Sequence, residues 1–174
     1  SPPRCKTTTV SVVKGGELYQ AHDRRKIRRL VRDLVENSQI VCSYYGEVFD
    51  LPFLRSDFNL DLDVAHIDLC FWLRRLGFTG GLKGVQKGFK DIPRRKSMDL
   101  DGFDAVVLWQ MYEKGDVSAL DALLTYNAED TTVLSILLEK ALSLEKKKRS
   151  SLKGIVLPRF RVPKITTTVD PVVY

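Results

Sequence analysis

The first 67 residues alternate between stretches that suit extended backbone and one that suits a helix, and this alternation confines the chain to an α/β fold. Thr7 to Val13 is rich in β-branched residues, Leu18 to Ala21 follows, and Lys14-Gly15-Gly16-Glu17 between them supplies the Gly-Gly turn of a β-hairpin. Asp23 is placed to cap a helix that runs to about Glu36, whose apolar positions Ile27, Leu30, Val31, Leu34 and Val35 recur at i, i+3, i+4, i+7 and i+8. Gln39 to Ser43, with Ile40-Val41-Cys42 inside it, reads as a short buried strand, and Val64 to Ile67 as another.

Helices fill the rest. Asp50 to Phe58 starts one with Pro52 in its first turn, where the missing N–H costs nothing. Asp68 to Leu76 forms the next, followed by a glycine-rich turn at Gly77 to Gly81. Further helices are expected from Phe103 to Tyr112, Val117 to Tyr126 and Ala128 to Lys148, with Trp72 and Trp109 in the core. The domain is placed at residues 1–149, with 150–174 as a C-terminal tail that includes strand-forming residues.

Two strings carry the chemistry. Tyr44-Tyr45-Gly46-Glu47-Val48-Phe49-Asp50-Leu51-Pro52-Phe53-Leu54 puts a carboxylate where a strand passes into a helix. Tyr126-Asn127-Ala128-Glu129-Asp130 puts a phenol and a carboxylate one helical turn apart on one face. Carboxylates brought from separate elements to one point suit Mg²⁺ or Mn²⁺, hard cations that take oxygen ligands and share them with substrate phosphate. Asp50 also fits a helix N-cap, and Asp68 fits the cap of the helix after it, with contact to the site as its alternative.

Taken in order, these strings resemble the ribonuclease-H-like 3′→5′ exonucleases of the DEDD group, most closely the YprB-like predicted exonuclease domain. The matching residues are Phe49-Asp50-Leu51-Pro52-Phe53-Leu54 and Tyr126 to Asp130, with His66-Ile67-Asp68-Leu69, Leu82-Lys83-Gly84-Val85, Ala105 to Trp109 and Gly115-Asp116 between or near them. The resemblance implies a ribonuclease-H-like mixed sheet flanked by helices and two-metal phosphodiester hydrolysis. Asp50 and Asp130 would hold Mg²⁺ or Mn²⁺, and Tyr126 would orient the attacking water. The partner it implies is a single-stranded nucleic-acid end.

The chain departs from that pattern in two places. No Asp-x-Glu stands near the N-terminus, and Tyr45 occupies a position where the family has Asn. The missing motif belongs to the usual first central strand, so the sheet is expected to have that strand missing or replaced. A buried row of unpaired backbone groups would cost about 1–3 kcal/mol per group. A strand is therefore expected beside residues 39–43, either Thr7 to Val13 moved inward or a segment near Ile165 to Val169 from this chain or a neighbour. The second route would bring Asp170 toward Asp50 and make either a permuted fold or a homodimer by strand exchange. With two carboxylates the chain is under-equipped for two ions, so the rival reading is a non-catalytic nucleic-acid-binding or scaffold module.

Charge fits a polyanionic partner. The formal net charge is +6, with basic residues at Arg24 to Arg32, Arg94-Arg95-Lys96 and Lys146 to Arg149. Arg94, Arg95 and Lys96 fall between the two chemical strings and are read as phosphate contacts; the arginines of the first group line the solvated face of its helix. At 44% hydrophobic over 174 residues the chain supports one full core. Cys5, Cys42 and Cys70 are odd in number with no Cys-x-x-Cys spacing, which suggests reduced thiols and a cytoplasmic setting. No apolar run approaches the roughly 20 residues of a membrane span, so no membrane partner is expected. The start at Ser1-Pro2-Pro3, without methionine, fits a fragment of a longer protein.

Overall fold

The computed structural model describes residues 6–60, 62–92 and 100–165. Strands β1 (Val10–Lys14) and β2 (Glu17–Ala21) form the expected antiparallel hairpin. Gly15 and Gly16 turn it with φ of 62° and 83°, values that glycine adopts without steric cost. Asp23 accepts hydrogen bonds from the backbone of Arg25 and Lys26 and so starts α1 (Arg24–Leu30), which continues into a π-helical segment, Val31–Glu36. Then come β3 (Ile40–Ser43), α2 (Asp50–Phe58), β4 (Ala65–Asp68), α3 (Leu69–Arg75), α4 (Gly81–Gly88), α5 (Gly102–Glu113) and α6 (Val117–Lys148).

Two apolar cores divide the molecule. The first joins the hairpin, α1, the π-helical segment and α2 around Ile27, Val31, Leu51, Phe58 and Leu62. The second joins α3, α4 and α6 around Leu69, Leu73, Val85 and Leu137. Helix α6 spans both regions, since it packs on β1, β2 and β3 as well as on α3 and α5. Near its N-terminal half it is pinned to the hairpin: Gln20 Nε2 donates to Leu124 O and to Ser11 Oγ, each at 2.8 Å, and Ser11 Oγ donates to Asn127 Oδ1.

The sheet differs from expectation. β3 pairs with β4 in parallel, Ile40 opposite Ala65 and Ser43 opposite Asp68, while β1 pairs only with β2 among the described residues. Thr7 to Val13 has therefore not moved in beside residues 39–43. Of the alternative segment, Ile165 is not in a strand, and residues 166–170, Asp170 included, lie outside the described residues. The presumed burial of β3 explains the difference. Ile40 is 55% exposed, so β3 is not the fully buried strand expected, and among the described residues β4 is its one partner.

Three further expectations change. Helices drawn at Val117 to Tyr126 and Ala128 to Lys148 are one unbroken helix of 32 residues, because Asn127 spends its side chain on Ser11 rather than on ending the helix. Glycine content hid α4, whose Val85 is buried in the second core. Trp109 is half-buried on α5 beside Tyr112 rather than in a core, whereas Trp72 packs on the second core and donates Nε1–H to Glu145 Oε1. Beyond α6 and the short 3-10 turn Ser150–Leu152, the chain returns along the helix toward the hairpin. Lys146 Nζ donates to Ile155 O, Phe160 N to Glu139 Oε1, and Arg161 pairs with Glu17 at 3.9 Å.

Candidate functional site

Because β3 and β4 are parallel, their carboxyl ends lie side by side, and the loop leaving β3 meets the start of α3 at one rim of the sheet. Open α/β sheets hold ligands at that rim. Asp68, the last residue of β4, organises it. Its Oδ1 accepts from Cys70 N at 2.9 Å and from Tyr45 N at 2.8 Å, and its Oδ2 accepts from Glu47 N at 3.1 Å. One carboxylate thus caps α3, as expected, and also ties down the loop between β3 and α2.

The same loop is packed from within. Ser43 Oγ accepts from Gly46 N at 3.1 Å and lies 2.8 Å from His66 Nε2 on the neighbouring strand, which makes His66 a packed, hydrogen-bonded histidine. A Cβ on Gly46 would stand 2.2 Å from Ser43 Oγ, 2.6 Å from Ser43 Cβ and 3.2 Å from Asp50 Oδ2. Only glycine lets the turn close this tightly against the serine. Tyr45 just before it takes φ of 63°, the left-handed region that Asn or Gly enters far more readily than a bulky side chain.

Asp50 is the first residue of α2, and Phe49 occupies the N-cap position without a side-chain cap bond. Its carboxylate is therefore not spent as the helix cap. The residue reaches solvent, but the protein crowded around its carboxyl pushes the pKa up, and the negative charge of Asp68 pushes it the same way. Crowding acts on neighbouring groups too. Burial, with a smaller contribution from Asp68, raises the Cys42 thiol to about 12, and burial, followed by the influence of Cys70, raises the Tyr44 phenol.

Tyr126 and Asp130 are half-buried on α6, on either side of buried Ala128 and Glu129, in the part of the helix pinned to the hairpin. Arg94, Arg95 and Lys96 lie outside the described residues. Among the described residues, Asp68 is the acid whose charge acts on Asp50. Sequence reasoning placed Asp68 first as a cap, with contact to the site as its alternative. The signal for its wider role was its position at the end of a strand parallel to β3, which could be used only once the pairing was known.

Mg²⁺ and Mn²⁺ want several oxygen ligands each. The oxygens of Asp68 already accept three backbone N–H groups, and among the described residues no group of three or more His, Cys, Asp or Glu side chains is arranged to hold an ion. This donor set does not by itself fit a two-ion centre. Among the described residues, no helix is long and apolar enough to cross a membrane.

A family model described as RNase_H_2, of the RNase_H superfamily, matches residues 5–142. No curated protein and no solved structure matches the chain.

Proposed function

We propose, for a chain that belongs to the RNase_H superfamily, that it receives a single-stranded nucleic-acid end at the carboxyl rim of β3 and β4, in the manner of a 3′→5′ exonuclease. Superfamily membership points to nucleic-acid processing of the nuclease type and, by the general habit of that superfamily, to Mg²⁺ or Mn²⁺. The finer reading rests on one observation: Asp50 and Asp68, two like charges at the rim where parallel strands end, with the Asp50 pKa raised. A carboxyl crowded by protein and pushed further by a second carboxylate favours a proton or a cation beside the reacting phosphate. Asp50 and Asp130 are the reaction positions, Tyr126 orients the nucleophile, and Arg94, Arg95 and Lys96 follow the phosphate backbone.

A second reading, a binding module without hydrolysis, is favoured by the small donor set among the described residues. Labelled single-stranded oligonucleotide separates the two. Under the proposed reading Mn²⁺ supports weak digestion that Asp130→Asn abolishes; under the second, digestion is absent, and in both binding in EDTA persists and weakens with salt, as phosphate contacts require. Robust digestion abolished by Asp130→Asn would overturn the binding-module reading and show that ligands beyond the described set complete the centre. No binding to any oligonucleotide would overturn both readings.

A further inference from the structure

We infer that Tyr45 and Phe71, with Arg74 beside them, form a stacking platform for an unpaired base next to the Asp50–Asp68 rim, an inference that rests on the nucleic-acid reading above. Three observations converge on this patch. Tyr45 is 43% exposed and Phe71 36%, two aromatic rings that neither core takes in. The rings of Tyr45 and Phe71 approach to 5.9 Å between centroids with a 48° tilt, and the guanidinium of Arg74 lies 5.7 Å from the centre of the Phe71 ring. They form one continuous aromatic and cationic surface. Arg74 and its exposed neighbour Arg75 have no ion-pair partner among the described residues, so positive charge borders the rings where a phosphate would follow its base.

The third observation is the backbone of Tyr45. A tyrosine at φ 63° is strained, and the fold holds it there through the bond from its N–H to Asp68 Oδ1. Strain of this kind persists where the surrounding structure enforces it, and it clusters at ligand sites. Packing gives no reason for it, because the ring it positions faces solvent instead of a core. The carboxylate that restrains Tyr45 also raises the pKa of Asp50, so the aromatic surface and the proposed reaction position share one anchor. Every base has a π-face, and an unpaired base brings with it the phosphate that Arg74 and Arg75 suit. A duplex end keeps its bases stacked on one another and offers the rings little.

The test uses Tyr45→Asn, which removes the ring with a residue that tolerates left-handed backbone, and Tyr45→Phe, which keeps the ring. Binding is read by fluorescence anisotropy with a single-stranded oligonucleotide and a blunt duplex, both in EDTA; thermal melting is read alongside. Tyr45→Asn is expected to weaken single-strand binding about tenfold, the loss of one stacked base, to leave duplex binding unchanged and to melt no lower than the parent. Tyr45→Phe retains single-strand binding. Phe103→Ala, which removes an exposed ring on α5, changes neither. If the parent chain binds oligonucleotides and Tyr45→Asn binds the single strand equally well, the platform is wrong and the nucleic-acid reading survives. If the parent binds neither oligonucleotide, both fall. Concentration-dependent self-association abolished by Tyr45→Asn, without oligonucleotide binding, would assign the patch to a second copy of the chain and overturn the inference.

Discussion

Gly46 shows how a single atom decides the geometry of this rim. A Cβ there meets Ser43 at distances that no side chain sustains, and Ser43 is itself fixed by His66, so the turn would have to open. Gly46→Ala is expected to destabilise the fold by about 1–3 kcal/mol, the usual cost of forcing extra atoms into a packed site. Urea unfolding measures it, and an unchanged midpoint would mean that Ser43 rotates away freely. Asp50 gives a pH signature of defined sign. Its folded pKa lies above the unfolded value, so both states carry the proton at low pH and the group contributes nothing there. As pH rises from the ordinary carboxylate value through the raised one, the unfolded chain ionises first and stability falls. Asp50→Asn should flatten that part of the stability curve and leave the protein at least as stable as the parent at neutral pH. Melting temperatures between about pH 3 and 7 test the sign, and a variant less stable at neutral pH would contradict it. Cys42 offers a third check. With its thiol near 12, about one molecule in ten thousand carries the thiolate at pH 8, so alkylation mapped by mass spectrometry should find Cys42 unmodified in the folded protein and modified once urea unfolds it.

At the scale of elements, α6 and the end of β4 matter most. Leu137 has no exposed surface and sits where α6 packs into the second core, so Leu137→Ala should cost about 2–5 kcal/mol. An equilibrium denaturation midpoint that barely moves would show that the second core collapses around the missing atoms. The carboxylate that ends β4 does two jobs at once, capping α3 and holding the Tyr45 and Glu47 amides. Asp68→Ala leaves three backbone N–H groups without that acceptor and is expected to cost about 1–3 kcal/mol. Local hydrogen exchange distinguishes this from general damage, since faster exchange should begin at Tyr45, Glu47 and Cys70. The hairpin, the cap at Asp23 and α2 were all legible beforehand because each is set by nearby residues: a Gly-Gly turn, an acid before an amphipathic run, a proline in a first turn. Helix α4 was not, because its three glycines mask a helix that the surrounding packing of Val85 stabilises.

At the scale of the molecule, the described residues form two small sheets, the hairpin and the parallel pair, bridged by α6. The consequence can be measured. In a parallel strand alternate amides point to opposite sides, so those β3 amides directed away from β4 should exchange with solvent far faster than those directed toward it. Equal protection along Ile40 to Ser43 would reveal a further strand on that side. What the sequence by itself determined was local: periodicity, turns, caps, and the two strings around Asp50 and Asp130 with their ordered resemblance to one superfamily. Pairing partners depend on loop closure and on what else competes for each edge, and neither is written in a strand's own residues. Only the tertiary structure decided that β3 accepts β4, its one partner among the described residues, and that Asn127 binds Ser11 within a continuous α6. It also set Asp68 at the loop that leads to Asp50: burial raises the Asp50 carboxyl most, and the added push comes from a residue 18 positions away that only a parallel register sets beside that loop.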